Sequence, residues 1–238
     1  MANQSRETKM YSSSSIGKIV GALLLFQMVA GIYINFSLLQ PLNGEPGFLV
    51  TGAVNSNRFG LIALLALVSC SVNLLIASIG FRIFNKYNPL LAVIVLLFPC
   101  ISLSLTAVEY AHIMELVSYS QHYQAASAEA KITFELFRPV IASSRSWSHL
   151  MAIGFSGFSL LLFYLMLFRS AQIPRLLIGF GLLATVIQVL AVAQPFIGNS
   201  VPTLLLVPLA AAQLMLSAFF IIKGLSVRLS LRQQEQVI

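Results

Sequence analysis

The 238-residue chain is 58% hydrophobic and only 9% charged, with a mean hydropathy of +0.89. Water-soluble domains run near 25% charged, so this composition excludes a soluble enzyme or binding module. The net charge of +7 comes from dispersed lysines and arginines, not from a basic patch, and no nucleic-acid partner is expected.

Apolar runs follow in chain order at approximately 16–42, 58–84, 89–119, 146–168, 174–197 and 202–224. Each has roughly the 20 residues that cross a hydrocarbon core of about 30 Å as a helix. The expected fold class is all-α: a polytopic transmembrane bundle of six helices, one domain over residues 16–224. Residues 1–15 read as a flexible cytoplasmic lead-in and 225–238 as a cytoplasmic tail. Basic residues mark both termini and two connections as cytoplasmic: Lys18, Arg82, Lys86, Arg169, Arg175 and Lys223 among them. Lys131, Arg138 and Arg145 in the third connection run against that rule. Six spans nevertheless return the chain to its starting side. The expected location is therefore the plasma (inner) membrane, multi-pass, with membrane lipid as the surrounding partner. The first run is too long for a cleavable signal, whose apolar region has about 7–15 residues.

The first helix carries Gln27 and Asn35, expected to face other helices. A turn is predicted over 41–47, then a short re-entrant or interfacial piece over 48–57, and Arg58 opens the second helix. Pro89 suits the first turn of the third helix, and Pro99 is predicted to kink it. Residues 120–145 are amphipathic, with Phe134, Phe137 and Val140 interleaved with Lys131, Glu135 and Arg138. This segment is predicted as a helix lying in the outer interface, or as a lid over the bundle. Trp147 and Tyr164 stand near opposite ends of the fourth helix as interfacial aromatics. Cys70 and Cys100 fall mid-helix and are expected to pack as small apolar residues. Asn73, Gln188 and Gln213 are expected to bond between helices.

Ionisable groups near hydrocarbon are costly and point to function. Glu109 lies 20 residues past Pro89, about 30 Å along a helix rising ~1.5 Å per residue. That places it at the outer boundary of the hydrocarbon, level with His149 and Arg58. Glu109, His112 and Glu115 follow at i, i+3 and i+6, so adjacent members are neighbours on the helix. An outer-leaflet polar pocket of Arg58, Glu109, His112, Arg138 and His149 is the expected binding site, for a small molecule, a lipid headgroup or a partner helix. The structural alternative pairs Glu109 with Arg58 or Arg138 and leaves Glu115 and His122 solvated. The chemical alternative is a membrane-embedded enzyme with Glu109 as acid/base and His149 beside it. His112, Glu115 and His149 could then supply zinc ligands. No zinc motif such as H-E-x-x-H is present, and no cofactor is expected. A secondary transporter is the third reading. Aspartate is absent from the chain, which removes Ser-His-Asp triads and aspartate-based proton relays.

Several segments together resemble a prokaryotic family of integral membrane proteins catalogued only as a domain of unknown function. They are Gly21 to Gly31, Asn57-Arg58-Phe59, Tyr87-Asn88-Pro89-Leu90-Leu91-Ala92, Glu109, His149 and the run Phe168-Arg169-Ser170-Ala171-Gln172-Ile173-Pro174-Arg175. The resemblance implies a six-helix inner-membrane protein and brings no substrate, reaction or cofactor. His112 and Glu115 lie outside the shared pattern.

Overall fold

The computed structural model describes residues 2–39, 47–86, 88–170 and 173–224, without the side chains of 2–14, 82, 83 and 170. Residues 41–46 of the turn predicted over 41–47, the tail at 225–238 and the Arg82 side chain lie outside the described residues. Helix α1 covers Ala2–Ile32 and continues as a π-helical stretch, Tyr33–Leu39. Then come α2 (Phe48–Val54), α3 (Ser56–Phe84), α4 (Pro89–Ala125), α5 (Ala128–Ser170), α6 (Arg175–Ala193) and α7 (Val207–Lys223). Among the described residues six spans are long and apolar enough to cross a membrane. They run Ser15–Leu39, Ser56–Phe81, Pro89–Ala125, Ala128–Arg169, Arg175–Ile197 and Thr203–Lys223. The chain is an all-α, multi-pass membrane protein.

Successive membrane spans pack side by side, α1 against α3, and α1 closes the ring against α7. In each span's most apolar window only 22–39% of residues are buried, so most of every helix faces outward. Lipid covers such faces at no cost, and association rests on close packing and interhelical hydrogen bonds. One core cluster gathers Tyr164, Phe163, Phe84, Ile178, Leu216 and Phe220 at the end that carries Ser15 and Lys223. A second, around Ile34, Phe59, Ile62, Tyr110, Ile113 and Val117, lies at the opposite end.

The long apolar runs at 89–119 and 146–168 are only parts of their helices. Helix α4 continues to Ala125, and α5 begins at Ala128, so the break between them is Ala126–Ser127 alone. Residues 120–145 are therefore neither a separate interfacial helix nor a lid. They are the end of α4 and the beginning of α5, the tip of an antiparallel hairpin reaching about 24 Å past Glu109 at ~1.5 Å per residue. Part of the amphipathic face assigned to the interface is used inside the hairpin. The Tyr119 hydroxyl donates to the Phe134 carbonyl at 2.9 Å, and their rings lie 4.7 Å apart. The backbone stays helical through Pro99 and Pro139.

Other local expectations are revised. Helix α1 begins at Ala2 and runs through Ser15. Tyr164 is no interfacial aromatic: it is fully buried, lying against Gly181, where a β-carbon would overlap its ring. Asn35 is exposed and its amide donates to Gly31 O of its own helix, 2.9 Å away. Asn73 does bridge helices, donating to Ser156 Oγ at 3.4 Å. Cys70 is drawn into polar contact with Ser102 and Thr106, whereas Cys100 is exposed.

Candidate functional site

Helix α4 starts with a well-formed cap. The Asn88 side chain accepts from Leu91 N at 3.0 Å, and Pro89 follows at the first helical position. Twenty residues later, Glu109 faces α5 with only 3% of its surface exposed. The two helices hold one antiparallel register along their length. Ser102 donates to Ala152 O at 3.1 Å, and seven residues along each helix Glu109 meets Arg145. The Tyr119–Phe134 bond keeps the same register further out. Arg145 and His149 are separated by one helical turn, so both side chains project from the same face of α5.

One carboxylate oxygen receives both. Arg145 Nη2 donates to Glu109 Oε1 at 2.9 Å. His149 Nδ1 lies 2.9 Å from the same oxygen but out of line for a hydrogen bond. Proximity and hydrogen bonding thus differ at His149. Arg145 Nε and His149 Nδ1 are both buried without hydrogen-bond partners, although the side chains as wholes keep 27% and 31% exposure. Such atoms carry unspent hydrogen-bonding capacity.

Beneath Glu109, toward the bilayer interior, the contacts between α3, α4 and α5 remain polar. Thr106 Oγ1 donates to Ser102 O at 2.9 Å and to Cys70 Sγ at 3.6 Å. Above it, Ser120 ties α2 to the hairpin. Its hydroxyl accepts from Ala53 N at 2.7 Å and donates to Leu49 O at 2.8 Å, inserting between a backbone donor and acceptor of α2. Gly52 permits that approach, since a β-carbon there would lie 3.0 Å from the Ser120 side chain.

The other residues expected at the site go elsewhere. Arg58 donates to Ser37 O at 3.1 Å, capping the carbonyl end of the first span, where a cation is favoured by the helix dipole. It makes no ion pair with Glu109. Arg138 is exposed and has no ion-pair partner among the described residues. His112 is engaged one turn away with Glu115, its Nδ1 2.8 Å from Oε2. Among the described residues no three His, Cys, Asp or Glu side chains gather as a metal cluster. The His112–Glu115–His149 set is therefore not assembled.

Arg145 is the residue of this cluster that sequence reasoning missed. Treating 120–145 as a connection turned it into a loop charge. The available signal was its one-turn spacing to His149, which becomes meaningful once α5 is extended upstream.

No curated protein and no solved structure matches the chain. A family model described as "Domain of unknown function (DUF4386)" matches residues 19–224, which include all but the first four residues of the six spans and the Glu109–Arg145–His149 cluster. The chain belongs to the DUF4386 family.

Proposed function

We propose that this membrane protein binds an anionic small molecule or lipid headgroup at its hairpin end, through Arg145 and His149 held in place by Glu109. One observation carries the reading: a carboxylate with 3% exposure anchors two cationic or hydrogen-bonding side chains that keep 27% and 31% exposure. An anchor inside and two side chains that keep part of their surface exposed make a pre-organised site, whose groups need little reordering on binding. The hairpin end is extracytoplasmic in this reading, and the membrane is a bacterial-type plasma membrane. Its support is that Lys18, Lys86, Arg169, Arg175 and Lys223 all lie toward the opposite end, which the positive-inside rule assigns to the cytoplasm. The metal-enzyme reading has no comparable support, because His112 is committed to Glu115.

Thermal unfolding in neutral detergent tests the site. Inorganic phosphate at matched ionic strength raises the midpoint of the wild type, as saturation of a native-state site requires. His149→Gln removes most of that shift. Equal shifts in both proteins, or none in either, would refute the proposal.

A further inference from the structure

From the Glu109 rim, one stripe of α5 descends in alternating four- and three-residue steps: Arg145, His149, Ala152, Ser156 and Ser159. Such spacing keeps all five on one face of the helix. Helix α4 meets this stripe with Glu109, Thr106 and Ser102, and α3 contributes Ser69 and Asn73, one turn apart. All of these except Ala152 carry a hydrogen-bonding side chain, and Ala152 takes part through its carbonyl, which accepts from Ser102. Lipid tails offer such groups no partner.

The seam does not satisfy itself. The Ser69 hydroxyl is buried without a hydrogen-bond partner, as are Arg145 Nε and His149 Nδ1 at the rim. Asn73 makes one long bond, donating to Ser156 Oγ at 3.4 Å, which leaves its carbonyl oxygen and second N–H unused. Ser159 is 5% exposed, and its hydroxyl bonds to no described residue. A buried polar group without a partner costs about 1–3 kcal/mol, so several on one seam require an occupant.

Beside Asn73 and Ser159 there is space for one. A cavity of about 10 Å³ lies between α1, α3, α4 and α5, with Leu24, Ile76, Val95 and Phe163 among its apolar walls. A single water needs roughly that volume and at least about two polar partners. Any larger ligand is excluded. Ser159 lies fourteen residues below Arg145, about 21 Å at ~1.5 Å per residue. The cavity is thus past the centre of a hydrocarbon core of about 30 Å. There Phe163 packs on Phe84 at 5.7 Å, and the apolar core at the Lys223 end begins.

We propose that water enters the α3–α4–α5 seam at the Glu109 rim and reaches a site between Asn73 and Ser159, where it bridges α3 to α5. Phe163 and its neighbours stop it there. The bundle is hydrated from the hairpin end to just past mid-membrane and dry beyond. This inference does not depend on anion binding at Arg145 and His149.

Radiolytic hydroxyl labelling of the full chain in nanodiscs, read by mass spectrometry, tests it, because radicals formed from a bound water attack the side chain beside it. Phe163 and Phe220 are both core phenylalanines, 6% and 0% exposed, and only Phe163 lines the cavity. Phe163 is hydroxylated several-fold faster than Phe220. Brief mixing with water enriched in the heavy oxygen isotope, just before irradiation, places that isotope in the new hydroxyl, since the site exchanges through the seam. Asn73→Leu with Ser159→Ala leaves the cavity apolar, and an apolar cavity stays dry. Labelling of Phe163 then falls to the level of Phe220. Ser159→Ala alone, which adds no bulk, lowers it several-fold and serves where the double variant does not fold. Labelling of wild-type Phe163 no faster than Phe220, labelling unchanged in either variant, or light oxygen retained after mixing would each overturn the proposal.

Discussion

At the residue scale, the cost of an intramembrane acid is met by the way Glu109 is held. A nearly buried carboxylate is tolerable only if paired, and here Arg145 and His149 converge on it from one face of α5. Removing its charge leaves Arg145 without a counterion, a change that costs several kcal/mol when the survivor is fully buried. Arg145 keeps part of its solvent contact, so Glu109→Gln should cost roughly 2–3 kcal/mol. The His112–Glu115 pair is exposed, with Glu115 at 61%, and such pairs contribute ~0–1 kcal/mol. His112→Ala should therefore leave the unfolding midpoint nearly unchanged. Thermal unfolding of the two variants side by side checks both figures, and a larger loss for His112→Ala would reverse their ranking.

At the element scale, the hairpin depends on contacts that α2 and α3 make with α4. Ser120 is completely buried and satisfies both a donor and an acceptor of α2. Ser120→Ala strands those groups and should destabilise by about 1–3 kcal/mol. Limited proteolysis near residues 47–55, read beside the unfolding midpoint, would show α2 released first. The hydropathy pattern made all six spans legible because each is long and continuously apolar. It did not make the hairpin legible, because charged and apolar residues alternate over 128–145 and that mixture suits either an interface or a helix–helix seam. Only the partner helix decides, through contacts such as Tyr119–Phe134 and Ser102–Ala152. The same limit explains the site. Glu109 and His149 stood out as rare ionisable groups beside hydrocarbon, whereas Arg145 gained its meaning from α5 starting at Ala128. Arg58, placed at the right depth by helix rise, is held at the end of the first span instead of at the acid.

At the scale of the whole molecule, six spans bring Ser15 and Lys223 to one end and leave the α4–α5 hairpin at the other. A cysteine introduced at exposed Gln121 should react with a membrane-impermeant maleimide in intact cells, and one introduced at Lys223 should not; the reverse pattern would invert the orientation. With the hairpin outside, the Glu109 cluster becomes an outward-facing site at the edge of the hydrocarbon, reached without crossing the bundle. Trp147, the single tryptophan of the chain, lies between Arg145 and His149 in sequence and packs against Phe196 at 5.3 Å. It sits two residues from each, so its ring leaves α5 on the face opposite to theirs. The most direct test is the heat of binding, in phosphatidylcholine nanodiscs, as glycerol 3-phosphate is titrated in at constant ionic strength. We predict a saturable change in the wild type that Arg145→Gln abolishes, whereas no saturable change, or an identical curve for Arg145→Gln, would contradict binding at Arg145 and His149.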